Sequence, residues 1–238
     1  MRINRVKCIL SPLIFFTLSI FACSVSAEDL TEDSGAWAQA VAEGSMEFLN
    51  PSLKKGRIWL EGQSRFDGDW SHWYQGMVRA AVGYSLSDRA TIWAGYTWLP
   101  TQNIGKDYIS QQDLWPAFRY VLPTDIGTFM FRTMWETNFL RGDQLRERPR
   151  QMIKFMHPFE FEPRLSLIAW DEAFYRVNST QWGGKSGFDQ NRAFAGLGWN
   201  FTKDVRTELG YLNQLIDNSD QTQLTMRHLA MASVFVNF

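Results

Sequence analysis

Beyond about residue 57, the apolar side chains of this chain recur at every second position rather than every third or fourth, and they continue to do so up to the last residue. Leu224, Met226, Ala230, Ala232, Val234 and Val236 lead in this way to a terminal aromatic, Phe238. A period of two is that of a β-strand, whose successive side chains point to opposite faces. Along 73–86, Tyr74, Gly76, Val78, Ala80, Val82 and Tyr84 share one face, whereas Trp73, Gln75, Met77 and Arg79 share the other. Leu114, Pro116, Phe118 and Tyr120 likewise oppose Asp113, Trp115 and Arg119, and Ala193, Ala195, Leu197 and Trp199 oppose Arg192 and Phe194. Each segment carries one apolar face and one arginine-bearing face. The pattern selects an all-β fold, an antiparallel up-and-down β-barrel.

The segments run 57–66, 73–86, 89–98, 109–122, 126–139, 148–157, 165–177, 190–201, 205–216 and 224–238. Short connections at Ser87-Asp88, Pro123-Thr124-Asp125 and Thr202-Lys203-Asp204 alternate with longer ones near 99–108, 140–147 and 178–189. Most segments have about the 9–11 residues that a tilted strand needs to cross a bilayer, and alternating short and long ends are those of a transmembrane barrel. The expectation is a barrel of about ten strands, twelve being the alternative, with an even number placing both chain ends on one side. The chain holds 11 Trp, 7 Tyr and 18 Phe, a surplus that needs an explanation. Outward aromatics group at two heights: Tyr84, Tyr120, Phe129, Phe155, Phe201 and Phe238 near the short turns, Phe66, Tyr74, Trp98, Phe139, Tyr175 and Tyr211 near the other end. Two aromatic belts at two lipid interfaces account for them.

The chain opens with the basic Met1-Arg2-Ile3-Asn4-Arg5-Val6-Lys7, an apolar run from Ile9 to Val25, and the small residues Val25-Ser26-Ala27. That is the layout of a signal peptide over 1–27, cleaved before Glu28. Cleavage removes Cys8 and Cys23, so the mature chain forms no disulfide, and it leaves 21 basic against 25 acidic residues. The near-neutral balance of the whole chain, a formal charge of −1, argues against nucleic acid as a partner. No stretch after Glu28 approaches the length of a transmembrane helix. Residues 28–56 alternate poorly, and Ala-Trp-Ala-Gln-Ala-Val-Ala from Ala36 favours helix, so this segment reads as a periplasmic or plugging element ahead of a barrel over 57–238. The expected location is the cell outer membrane, with outer-membrane lipid and lipopolysaccharide as surroundings and a monomer as the assembly. The last strand resembles the C-terminal signal of outer-membrane proteins. That resemblance implies recognition of Phe238 by the barrel-assembly machinery, after delivery by periplasmic chaperones.

Several motifs together resemble a family of uncharacterised Gram-negative outer-membrane β-barrel proteins, classed as a domain of unknown function. They are Trp37, Gly83-Tyr84-Ser85-Leu86 leading to Gly95-Tyr96, the arginine-rich 146–150, Glu172-Ala173-Phe174, Phe188-Asp189-Gln190-Asn191-Arg192 with Gly196-Leu197-Gly198, and Glu208-Leu209-Gly210-Tyr211-Leu212. The Phe-Asp-Gln-Asn-Arg run followed by Gly-x-Gly is the most specific. Gln112-Asp113-Leu114 departs from the Glu-x-Arg of relatives. The resemblance implies fold and location and carries no activity.

The inward face supplies the candidates for function. Twelve bases, including Arg65, Arg79, Arg119, Arg132 and Arg192, meet five acids, including Glu136, Glu172 and Glu208. Two outcomes are open: a wall-supporting core of Arg–carboxylate pairs, or a surplus of guanidinium groups that attracts anions in a narrow channel or lumenal binding site. An enzyme acting on lipid or envelope substrates is the alternative, and Asp67, Asp69 and His72 form the acid–His cluster available to it near the outer rim. There is no Gly-x-Ser-x-Gly elbow, no catalytic residue is assigned, and no metal or other cofactor is expected. Trp182-Gly183-Gly184-Lys185-Ser186-Gly187 lacks the earlier glycine of a phosphate loop and reads as a mobile outer loop. The targeting expectation is direct: the mature protein begins at Glu28 and sediments with the outer membrane. N-terminal sequencing that finds 1–27 still attached, or recovery in the soluble periplasm, contradicts it.

Overall fold

A computed structural model describes residues 30–102, 108–140, 144–218 and 223–238. The signal peptide read over 1–27 lies outside the described residues, as do parts of the long connections. The described chain is a closed barrel of eleven strands: β1 (Leu30–Ser45), β2 (Gly56–Asp67), β3 (His72–Ser85), β4 (Ala90–Thr101), β5 (Ile109–Thr124), β6 (Gly127–Phe139), β7 (Arg146–Phe159), β8 (Glu162–Arg176), β9 (Gly187–Asn200), β10 (Val205–Asp217) and β11 (Leu224–Asn237). All ten strands expected from the alternation are present, with ends shifted by a few residues.

The eleventh, β1, corrects the reading of 28–56 as a plug or periplasmic segment. It pairs antiparallel with β2 and parallel with β11, from Leu30↔Leu224 to Glu43↔Asn237, and so closes the barrel. Its alternation is one of size: Ala38 and Ala40 stand exposed between Trp37, Gln39 and Val41, which line the interior. Alanine's helix preference, a few tenths of a kcal/mol per residue, is overridden because two neighbouring strands offer β1 a full set of backbone partners. The odd count also overturns the parity argument. Leu30 sits at the rim of the long connections and Asn237 at the rim of the short turns, so the described ends lie at opposite rims.

Phe238 extends the parallel seam. Its N–H donates to Glu43 O at 3.1 Å, its carbonyl accepts from Ser45 N at 2.9 Å, and its ring packs edge-on to Phe48 with centroids 5.7 Å apart. The backbone beneath it is Gly44, where a Cβ would stand 2.3 Å from the Phe238 ring.

The exterior is apolar and the interior mixed. Val78, Val82, Leu114, Leu197 and Leu209 are exposed, Leu209 to 66%. The interior divides into two apolar clusters embedded in charge. One gathers Trp37, Ile168, Phe194, Leu212, Leu229 and Met231; the other gathers Trp59, Ala81, Trp93, Trp115, Ala117 and Met134. In the second, Trp59 meets Trp93 and Trp115 edge-to-face at 5.6 and 5.5 Å, the geometry that aromatic quadrupoles favour. The surplus of aromatics therefore has two causes, rim positions and lumen filling.

Two β-bulges alter which residues face in. Between β2 and β3, Arg65 pairs with Gln75 and Phe66 with Trp73, leaving Tyr74 unopposed. Tyr74 is thereby buried in the lumen and is removed from the outer belt expected of it, while Trp73 turns outward to donate to Ser64 Oγ at 3.0 Å. Between β8 and β9, the same device turns Asp189 inward beside Gln190.

Gly95 shows how tightly the interior is filled, since a Cβ there would stand 2.2 Å from Trp115 Cζ2. Replacing Gly95 by Leu should displace the Trp115 ring and lower stability by roughly 1–3 kcal/mol or abolish folding. Gly62, with nothing near its missing Cβ, should accept Ala with little change. Thermal unfolding of the two refolded variants in detergent checks the contrast; equal midpoints would contradict it.

Candidate functional site

The lumen is the site that the fold builds, because every strand sends alternate residues into it. A belt of charges crosses its middle. Arg79 of β3 donates to Glu61 at 3.2 Å and lies 3.8 Å from Glu136; Arg148 and Arg150 of β7 reach Glu136 at 2.6 and 2.7 Å; Arg150 and Arg132 reach Glu172 at 2.7 and 2.9 Å. Arg148 also donates to Asp189 at 3.0 Å, and Arg176 bridges Asp189 and Asp217. All of these side chains are buried or nearly so, and Glu61, Glu136 and Glu172 each hold two or more donors, which is how a buried charge repays its desolvation.

Nearer the short-turn rim, two ties span the interior. Glu43 of β1 receives Arg119 of β5 at 2.5 Å and Arg57 at 3.1 Å, and Glu208 of β10 receives Lys154 of β7 at 2.6 Å and Arg206 at 2.9 Å. A cavity of about 740 Å³ remains, lined from Lys203 and Asn237 at one rim to Trp182 and Asn218 at the other. Segment 177–186 is folded against its mouth: Arg146 stacks on Trp182 at 4.7 Å, Trp182 Nε1 donates to Gln144 O at 2.8 Å, and Gly183 O accepts from Arg176 at 3.4 Å.

Pairing consumes most of the lumenal cations, but not all. The cavity is lined by thirteen Lys or Arg and nine Asp or Glu, so a positive excess of four remains. Among the described residues, Arg65, Arg146 and Arg192 have no carboxylate within 4 Å. They rest on neutral groups. Arg65 donates to Gln63 at 2.6 Å and to Gln75, Arg146 donates to Asn138 at 2.8 Å, and Arg192 donates to Gln190 at 3.2 Å. The orphaned buried atoms point the same way. The donors Trp37 Nε1, Trp59 Nε1, Trp93 Nε1, Asn138 Nδ2 and the Nε atoms of Arg132, Arg176 and Arg206 lack acceptors among the described residues, against one orphaned acceptor, Gln214 Oε1. Donors outnumber acceptors, so the arrangement suits an acceptor-rich, negatively charged guest.

A family model for a protein of unknown function, DUF2490, matches residues 34–225, from within β1 to the start of β11. The chain belongs to the DUF2490 family. An uncharacterized protein of Methylorubrum extorquens strain AM1 is 24% identical over 219 residues, covering 83% of this chain and 94% of its own length. No solved structure matches. The family match includes most of β1, in keeping with its place in the wall of this DUF2490 barrel.

Of the lumen candidates read from sequence, the structure brings Arg79, Arg132, Glu136 and Glu172 into one network and places Arg119 and Glu208 in the two ties of this DUF2490 barrel, with Arg65 and Arg192 standing apart from carboxylates. Sequence reading missed Glu43, Asp189 and Asp217 as lumenal acids. Glu43 follows once β1 is a strand; Asp189 follows from a bulge that alternation does not announce. The outer cluster is also assembled in part. His72 Nδ1 lies 2.9 Å from Asp67 Oδ1, but Asp69 is taken by Ser34 Oγ at 2.5 Å and Ser71 Oγ donates to Gly68 O at 2.6 Å. The serine hydroxyl is thus committed to its own turn, not presented to the histidine. The loop read as mobile over 182–187 packs its Trp182 on Arg146, because an indole face is a favourable seat for a guanidinium.

Glu136 holds three arginines, so replacing it by Gln leaves several buried cations short of their counter-charge. The expected loss is about 3–5 kcal/mol, whereas Asp69→Asn at the rim should change stability by no more than about 0.5 kcal/mol. Urea midpoints of both refolded variants decide the matter, and a neutral E136Q would refute the role of the belt.

Proposed function

We propose that this DUF2490 chain is an outer-membrane β-barrel whose side-chain-filled lumen binds small anionic solutes entering from the long-connection rim. Its membrane placement is supported by the exposed apolar exterior and by aromatics at both rims, Tyr84, Phe201 and Phe238 at one, Trp98, Tyr175 and Tyr211 at the other. Polar groups on that exterior are paired with cross-strand neighbours, as lipid contact demands: Asn191 donates to both Asp171 oxygens at 3.0 and 3.1 Å, Thr133 to Gln151, and Tyr211 OH meets His228 Nδ1 at 2.5 Å. Lipid and lipopolysaccharide are then its surroundings, and the terminal strand is what the assembly machinery reads.

The observation that carries the anion reading is the excess of donors and cations in the lumen. The ties Glu43–Arg119 and Lys154–Glu208 favour a binding site over a wide conducting pore, since both cross the interior near the short-turn rim. Anions that occupy the folded lumen stabilise it by mass action, by about 2.7 kcal/mol at a hundredfold excess over Kd. Thermal midpoints of the refolded protein at constant ionic strength should therefore rise with sulfate or citrate and stay level with magnesium. A rise with neither anion would overturn the reading. In planar bilayers the protein should conduct far less than an open porin, with residual current selective for anions.

A further inference from the structure

We propose that Arg65 and Arg192, gathered on the ring of Trp37, form a specific seat for a doubly charged oxyanion of the phosphate or phosphomonoester type; the proposal rests on the lumenal anion reading and names its ligand class. The Arg65 guanidinium carbon lies 4.2 Å from the Trp37 ring centroid and that of Arg192 lies 4.9 Å from it, so both cations stand against one indole, each without a carboxylate inside 4 Å. Both arginines are at least nine-tenths buried, Arg65 being 4% and Arg192 9% exposed. Amide groups orient them without neutralising them: Gln63 and Gln75 hold Arg65, and Gln190, itself held by Gln214 Nε2 at 2.7 Å, takes Arg192 Nε. The two terminal nitrogens of Arg192 make no hydrogen bond among the described residues, and Arg192 is one of the residues that line the cavity.

Cation–π contacts and neutral amides hold a guanidinium in place yet leave its charge standing. For most of the other lumenal arginines the problem is solved by a carboxylate, as at Glu136 and Glu172. At Trp37 the carboxylates nearby, Glu172 opposite Arg192 on β8 and Glu61 on the strand of Arg65, are paired directly with Arg132, Arg150 and Arg79, so a direct counter-charge is left for a guest to supply. Two uncompensated positive charges match a guest carrying close to two negative ones, and free guanidinium N–H groups favour tetrahedral or planar oxyanions over halides. A phosphomonoester meets both conditions, with a charge of about −1.5 to −2 at pH 7. The cavity extends beyond the pair past Tyr74, Gln75 and Gln214, polar groups that suit the uncharged remainder of such a molecule.

Thermal unfolding and calorimetric titration of the refolded full-length mature protein test the seat, using inorganic phosphate, glycerol 3-phosphate, succinate, chloride and detergent-dispersed lipopolysaccharide as probes. Phosphate and glycerol 3-phosphate should bind with Kd raised tenfold or more in Arg192→Gln and Arg65→Gln, partly restored in Arg192→Lys, and unchanged in Arg164→Gln at the opposite rim. Without added anion, Arg192→Gln should unfold at the same midpoint or higher, because it relieves repulsion; a purely structural arginine would lower it. Arginine-dependent binding of glycerol 3-phosphate identifies a free solute as the source, whereas arginine-dependent binding of lipopolysaccharide alone identifies a lipid phosphate. Anion binding that persists unaltered in both Gln variants, or a preference for succinate, overturns this seat and leaves the broader lumenal reading standing. Loss of any anion effect in the wild type overturns both.

Discussion

A sheet with apolar residues outside and arginines inside has no stable open edge, because each unpaired strand would expose backbone N–H and C=O groups beside its apolar exterior. The parallel seam between β1 and β11 removes that edge. Fourteen consecutive residues of β1 find partners there, Phe238 prolongs the pairing onto Glu43 and Ser45, and β2 takes the other side of β1. Closure in turn creates the lumen, and with it the need to satisfy every inward charge.

Arginine is the side chain that makes such a lumen feasible. Its fork reaches two acceptors at once, so Arg148 joins Glu136 to Asp189 and Arg150 joins Glu136 to Glu172, tying strands that are not neighbours in the sheet. The tryptophans fill the space between these ties and supply flat seats for guanidinium groups: Arg79 lies over Trp59 and Trp115, and Arg119 over Trp93. Apolar filling and charge pairing are therefore one structure. The same logic marks the positions where it is incomplete, since Arg65 and Arg192 have the aromatic seat but not the carboxylate.

Strand existence was legible from Arg57 to Phe238 because outward Leu, Val and Phe alternate there with inward polar groups. In β1 the outward residues are Ala36, Ala38, Ala40 and Ala42, and hydropathy contrast fades where small residues replace large ones. The inward direction of Arg79, Arg132, Glu136, Glu172 and Arg192 followed from period alone. Tyr74 did not, since a one-residue bulge reverses the faces beyond it, and bulges depend on how two strands meet.

By itself the amino-acid sequence determined the period, the punctuation and the sorting of residues between two faces, because side-chain direction along a strand is a local property. Tertiary structure decided which charges are spent. Glu43 reaches Arg119 across 76 residues, and Lys154 reaches Glu208 across 54, distances in sequence that barrel closure alone converts into contacts. It likewise decided the strand count, since β1 becomes a strand through its pairing with β2 and β11, and it decided that Arg65 and Arg192, on β2 and β9, share one indole. Pairing depends on curvature, register and bulges, and these are properties of the closed sheet, not of any one segment.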